Sequence, residues 1–213
     1  MDESSPGQRL NSLLIGSGLE PLEASLTGSF ETYLSLLRRW NARVNLTAIR
    51  DTETILSRHF VESIACARAL PAGISTLLDF GSGAGFPGIP IALCRPETAV
   101  TLAESQGKKA AFLREAVRTL GISASVHAAR AELLSDRFDC VVLRAVDKMG
   151  TAVESATRLV GAGGWLALMT TEPELEYFKE SLGKELSWSS LHHLPGSDRR
   201  LLALGHPEIS SPV

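Results

Sequence analysis

A chain of 213 residues is long enough to bury one sizeable core, with room for a small annex. Its 44% hydrophobic and 21% charged composition is ordinary for a soluble globular protein, and no apolar run reaches the roughly 20 residues that a bilayer span needs. With a net charge of −3, any nucleic-acid partner has to be met by positive charge concentrated locally.

The chain opens MDESSPGQRL, polar and acid-leaning, so no secretory leader is expected and a cytoplasmic location is. From about residue 10 to 70 the pattern is helical. Phe30, Tyr33, Leu34, Leu37 and Trp40 recur at helical spacing as one apolar stripe. Thr52 to Ala69 predicts a second helix, with Ile55, Leu56, His59, Phe60, Ser63 and Ile64 on a shared face. On such a face His59 reads as a hydrogen-bonded core histidine rather than a ligand. Pro71 and Gly73 then punctuate the chain, separating a helical extension over 1–73 from a domain over 74–213, together one compact unit.

Beyond residue 73 the grammar changes. Apolar runs of strand length lie at 74–80, 98–103, 138–143 and 164–169, with helical periods at 87–94, 107–120 and 150–160 between them. The period over 107–120 is the clearest, with Phe112, Leu113, Ala116, Val117 and Leu120 facing one way and Gly121 as the stop. A short strand fits around Ala124–His127. Strands alternating with helices predict an α/β fold with an open, doubly wound parallel sheet. Leu186–Leu191 and Leu201–Leu204 flank LPGSDRR and read as two strands joined by a turn, which adds an antiparallel strand. Cys66, Cys94 and Cys140 lie far apart with no C-x-x-C among them, so they read as small core residues, and no metal site is expected.

Chemistry concentrates in residues 77–90, LLDFGSGAGFPGIP. Four glycines and two prolines follow an apolar run, in the strand-to-helix turn where open parallel sheets bind ligands. The spacing from Gly81 is G-x-G-x-G. Phe86 stands where a dinucleotide fingerprint wants its third glycine, and no Lys-Ser/Thr pair is present to hold a triphosphate. Asp79, two residues before Gly81, suits a ligand with a positive amino group better than a pyrophosphate, and S-adenosylmethionine has such a group. Glu104, at the end of the next strand, is placed to grip a ribose diol. Ala131 and Glu132 offer backbone and carboxylate to an adenine, although AEL equally reads as a helical turn.

These residues resemble the bacterial 16S rRNA guanine-N7 methyltransferases, also called the glucose-inhibited division protein B family. The resemblance runs over about residues 30–205. It is most specific in WNARVNLTAIRDTETILSRHFVES (40–63), DFGSGAGFPGIPIAL (79–93), ESQGKKAAFLRE (104–115) and VVLRAV (141–146). It implies a Rossmann-like class I methyltransferase sheet of seven strands with the last antiparallel, an N-terminal helical extension, and S-adenosylmethionine as donor. The implied substrate is N7 of a guanine in the 530 loop of 16S rRNA, as free rRNA or in the small ribosomal subunit, with the chain acting as a monomer. Family cofactor contacts fall on Gly81, Gly83 and Phe86 in the loop, on Glu104, on Ala131 and Glu132, and on Arg144.

Two departures stand out. A Lys-Gly pair is common in the family after the fifth strand, but Met169 and Thr170 occupy that place here; and Glu62 stands where Asp is usual, a change expected to matter little. Guanine N7 carries a lone pair and no proton, so no general base is expected; Arg144, at a strand end, is the expected catalytic residue, aligning the base or gripping the cofactor carboxylate. Lys108 and Lys109 start a helix against its dipole, which points to phosphate contact, as do Arg199 and Arg200 in the late turn. Arg38, Arg39 and Arg43 beside Trp40 extend the basic surface. The competing readings are a methyltransferase of another substrate, a nicotinamide-dependent oxidoreductase (disfavoured by Phe86), and a sensor that binds S-adenosylmethionine without transferring methyl.

Overall fold

The computed structural model describes residues 4–146, 148–182, 186–197 and 199–207. Met1 to Glu3, at the start read as non-secretory, and Asp198 in the late turn lie outside the described residues. Among those residues no helix is long and apolar enough to cross a membrane.

Seven strands form one sheet in the order β3-β2-β1-β4-β5-β7-β6. They are β1 (Thr76–Phe80), β2 (Ala99–Ala103), β3 (Ala124–His127), β4 (Phe138–Arg144), β5 (Val160–Thr171), β6 (Leu186–His193) and β7 (Arg200–Pro207). β7 runs antiparallel to β5 and β6, and the pairs among β1 to β5 are parallel. The helices are α1 (Pro6–Gly16), α2 (Ala24–Asn41), α3 (Thr52–Ile55), α4 (Glu62–Ala69), α5 (Gly88–Cys94), α6 (Gly107–Leu120), α7 (Met149–Leu159) and α8 (Glu172–Leu182). This is the expected sheet, with strand and helix limits close to those predicted.

Three differences have local causes. The helix expected over 52–69 is continuous, but Leu56–Val61 winds as a π-helical segment between α3 and α4. β5 begins earlier than its apolar run, at Val160, and the pairing with β4 shifts register between Phe138 and Cys140 across the glycines of VGAGG. α8 carries good N-terminal signals in Glu172, Pro173 and Glu174. Among its residues of described burial it buries only Leu175 and Phe178, too few to show a helical period.

Alternation along the strands sorts the core onto two faces. Leu77, Leu102, Cys140, Val142 and Ala167 pack with the annex helices α1, α2 and α4 and with α5 and α6. Leu78, Phe80, Val141, Leu143 and Leu166 pack with α7 and α8 on the other face. The first of these cores is continuous from Leu10 in α1 to the sheet, so the annex and the sheet share one interior. Cys66 and Cys140 are buried within it, and Cys94 is half-buried against it.

Candidate active site

The turn after β1 divides its glycines between two tasks. Gly81 has φ +76°, where only glycine sits without strain, and a Cβ there would stand 3.2 Å from the Val146 side chain. Gly88 is bare for an internal reason: its Cβ would lie 2.4 Å from Leu102 and 2.5 Å from an Asp79 carboxylate oxygen. The Gly88 N–H donates to Asp79 Oδ2 at 3.1 Å. Asp79 is 1% exposed, on the α5 face that Leu77 also takes, and burial pushes its carboxyl up to about 7. The expectation that Asp79 meets a ligand amino group is therefore corrected, because strand alternation turns it under the loop.

Two cavities meet beside this turn. The first, about 340 Å³, is lined by Gly81–Ala84, Phe86, Leu46, Thr47, His59, Lys109 and Arg144, among others. The second, about 450 Å³, takes in Ala131, Glu132, Lys148 and Thr151. Gly81, Glu104, Ser105 and Val146 belong to both and form the waist. Glu104 accepts from the Gly83 N–H at 3.0 Å and the Gln106 N–H at 2.7 Å, which fixes the carboxylate and leaves lone pairs for ligand hydroxyls. Ala131 and Glu132 sit in a short 3-10 turn, Ala131–Leu133, between β3 and β4, so AEL is a helical turn as well as a wall of the cavity; Ala131 is buried and Glu132 exposed. A carboxylate at the waist, cavities on both sides and no side chain at Gly81 fit an elongated nucleoside such as S-adenosylmethionine, with its ribose at Glu104.

The wall opposite the loop is built of charge. Glu62 in α4 is fully buried, and three guanidiniums converge on it: Arg144 at 2.9 Å, Arg200 at 2.5 Å and Arg58 at 3.9 Å. Arg144 also donates to the Arg58 carbonyl at 2.6 Å and to Ser63 Oγ at 3.4 Å. Burial pushes the Glu62 carboxyl up, against the pull of Arg144, Arg200 and Arg58. His59 closes the network. Its Nδ1 lies 3.3 Å from Arg144 Nη2, which can only donate, so Nδ1 accepts and Nε2–H donates to Thr47 Oγ1 at 3.0 Å. Burial, then the charges of Arg144, Arg58 and Arg200, hold its imidazole down at about 3. The ring stacks on Phe86 with centroids 4.5 Å apart. His59 is thus hydrogen-bonded, as expected, but it is also a wall of the cavity.

The other predicted residues are dispersed. Lys109 lines the first cavity, while Lys108 beside it is exposed. Arg199 is exposed in the late turn. Arg200 is not available as a phosphate contact in the way expected, because its guanidinium turns inward onto Glu62 and its side chain is only 18% exposed. Of the two residues in the place of the family Lys-Gly pair, Met169 stands where the lysine would be and is buried, while Thr170 donates to Glu174 Oε2 at 2.8 Å and so closes the first turn of α8. Sequence reasoning missed Glu62 as a hub. The signal was a carboxylate in the apolar run HFVESIA, four residues after an arginine.

A family model described as rRNA small subunit methyltransferase G (GidB) matches residues 27–200. The chain is 41% identical over 186 residues to "Ribosomal RNA small subunit methyltransferase G" of Halorhodospira halophila, covering 85% of this chain and 88% of that protein. The protein of that name in Stenotrophomonas maltophilia is 44% identical over 151 residues, 70% of each chain. Among solved structures, a SAM dependent methyltransferase from Aquifex aeolicus superposes with TM-score 0.57 at 16% identity, over 71% of this chain and 92% of that one. P. horikoshii TYW2 in complex with MeSAdo gives TM-score 0.56 at 14% identity, over 69% and 61%. At such identities these two structures speak for the fold alone.

Proposed function

The chain belongs to the rRNA small subunit methyltransferase G family and is an S-adenosylmethionine-dependent methyltransferase; from that premise we propose that it methylates N7 of a guanine in the 530 loop of 16S rRNA. The observation that carries the reading is the pair of cavities joined at Glu104 over Gly81 and Gly83. Glu104 would hold the ribose, Ala131 and Glu132 the adenine, and Gly81, Gly83 and Phe86 the far end of the cofactor. When bound, the cofactor supplies a methyl group on a positively charged sulfur.

The chain's own residues align and enclose. Guanine N7 presents an in-plane lone pair and no proton, so the reaction needs geometry and exclusion of water rather than a base. His59 suits this, since both ring nitrogens are engaged and its low pKa keeps it neutral. Arg144, held by Glu62, sets the wall against which the base is aligned. We place the reaction in the cytoplasm, with the chain as a monomer.

Transfer of tritiated methyl to free 16S rRNA and to 30S and 70S particles, followed by nucleoside mapping, tests the reading. Label is expected in 7-methylguanosine; label in another nucleoside or in protein overturns it. With both ligands saturating, Arg144→Ala is expected to lower the single-turnover rate tenfold or more, and full speed would remove Arg144 from the alignment.

A further inference from the structure

Arginines are spread unevenly over the molecule. Residues 38–50, RRWNARVNLTAIR, hold four arginines and no acid. Residues 105–120, which include α6, hold Lys108, Lys109, Arg114 and Arg118 against Glu115 alone. The two segments are joined in space: Trp40 Nε1 donates to Glu115 Oε2 at 3.0 Å, Arg39 pairs with Glu115 Oε1 at 2.5 Å, and the Trp40 ring stands edge-on to Phe112. α8, on the other sheet face, is the reverse, with Glu172, Glu174, Glu176 and Glu180 against Lys179. A chain of net charge −3 is thus polarised, basic on the annex side and acidic on the α8 side.

The basic side has shape as well as charge. A cleft of about 210 Å³ runs between Arg39, Trp40, Arg43, Val44 and Glu115, and another of about 130 Å³ is rimmed by Arg38 and Arg50. They flank the C-terminal turn of α2 on its two sides. The loop that follows is fixed by Asn41, whose Oδ1 accepts from Leu46 N–H at 2.9 Å and Thr47 N–H at 3.1 Å, while Nδ2 donates to the Thr47 carbonyl at 3.1 Å. Leu46 and Thr47 are in turn a wall of the first cavity. The arginines therefore stand on a rigid ledge that leads to the cavity.

Helix-dipole compensation accounts for part of this pattern, since Arg38 and Arg39 lie in the last turn of α2. It does not reach Arg43 and Arg50, which lie beyond the helix. Among the described residues Arg38, Arg43, Arg50, Lys108 and Lys109 make no ion pair, and Glu115 has both oxygens occupied. Four guanidiniums flanking a fixed turn, two to a cleft, match the phosphates of a nucleic-acid backbone.

We infer that the face formed by the C-terminal end of α2, residues 42–50 and α6 is where the rRNA sugar–phosphate backbone docks. The inference rests on the rRNA reading above. Arg38, Arg43 and Arg50 are its main contacts, Lys108 and Lys109 continue it to the cavity mouth, and Arg200 is withdrawn into the Glu62 cluster.

Filter binding of in vitro transcribed 16S rRNA over a series of salt concentrations tests it. The double variant Arg38→Ala/Arg43→Ala is expected to lower affinity at least tenfold at low salt. It should also flatten the slope of log affinity against log salt by about 1 to 2, with S-adenosylmethionine affinity unchanged. Arg158→Ala, at an exposed position of α7 on the other sheet face, should leave the slope in place. An unchanged slope in the double variant, or an equal loss in Arg158→Ala, overturns the assignment of this face. If wild type methylates rRNA while the double variant binds normally, this inference fails and the rRNA reading stands; if wild type neither binds nor methylates rRNA, both fail.

Discussion

The two walls of the first cavity are made in opposite ways. The loop wall, Gly81–Phe86, is six consecutive residues held by the backbone: Gly85 N–H and Phe86 N–H return to the Ser82 carbonyl, and Ser82 N–H reaches the Ala103 carbonyl. The facing wall, His59 and Arg144, comes from segments more than eighty residues apart and is held by a buried carboxylate among guanidiniums. One wall is constrained first by volume, as the absent side chain at Gly81 shows. The other is constrained first by charge, and the difference says which substitutions each will tolerate.

The charged wall gives the largest expected effect. Glu62→Gln leaves Arg144 and Arg200 without their carboxylate while barely changing volume, and removing one partner of a buried pair costs about 3–5 kcal/mol. Melting temperature should fall by roughly 10 °C in a domain of this size, with Glu62→Asp, the usual family residue, recovering most of it. Equal melting of Glu62→Gln and wild type would break the distinction between the walls. On the loop wall, Gly81→Val fills the waist beside Val146 in a backbone conformation that β-branched residues avoid. Calorimetry should show S-adenosylmethionine affinity down by about 100-fold or more (about 2.7 kcal/mol). Retained binding would show that the waist does not hold the ligand.

The same difference explains what could be read from the sequence. A wall made of consecutive residues leaves its pattern in consecutive letters, so Gly81, Gly83, Phe86 and the acid at Glu104 were all legible. Ala131 and Glu132 were legible as one of two readings of AEL, and the resemblance added Arg144. Only the Arg58–Glu62 spacing of the Glu62 hub was legible, because Arg144 and Arg200 reach Glu62 only when α4, β4 and β7 pack together. Asp79 was misread for a related reason: as a letter it adjoins the glycines, yet pleating sends it to the opposite side of the loop. The strands were legible where apolar runs were uniform. β5 before residue 164 was not, since VGAGG looks like a turn.

Tyr33 crosses between the two modes and so sharpens the comparison. From α2 its hydroxyl donates to the Ala84 carbonyl at 2.6 Å, a tie from the annex onto the loop wall, and its ring stacks on Phe60 with centroids 5.3 Å apart. Tyr33→Phe keeps the packing and leaves a buried carbonyl without this donor, at a cost of about 1 kcal/mol. S-adenosylmethionine affinity should fall about fivefold. No change in either quantity would mean that the loop holds its shape without the tie from the annex.

The last effect is one of sign. Asp79 lies under the loop wall, and His59 belongs to the charged wall. Burial raises the Asp79 carboxyl from 3.8 to about 7, so between those values the native chain keeps a proton that the unfolded chain has shed. Its contribution to stability is present below about 4 and is lost as pH rises to about 7. Burial and the neighbouring arginines lower His59 from 6.5 to about 3, so the unfolded chain takes up a proton that the native chain refuses. That contribution is present above 6.5 and is lost as pH falls towards 3. In wild type the two oppose each other between about pH 4 and 6.5. Asp79→Asn should unmask the His59 dependence, with stability relative to wild type rising with pH by up to about 1.4 kcal/mol per unit. His59→Gln should unmask Asp79 and give a fall of similar size. Urea denaturation of both variants and wild type at pH 4.5, 5.5 and 6.5 reads the two slopes directly. Slopes of the same sign would show that burial does not set the protonation of the two walls in opposite directions.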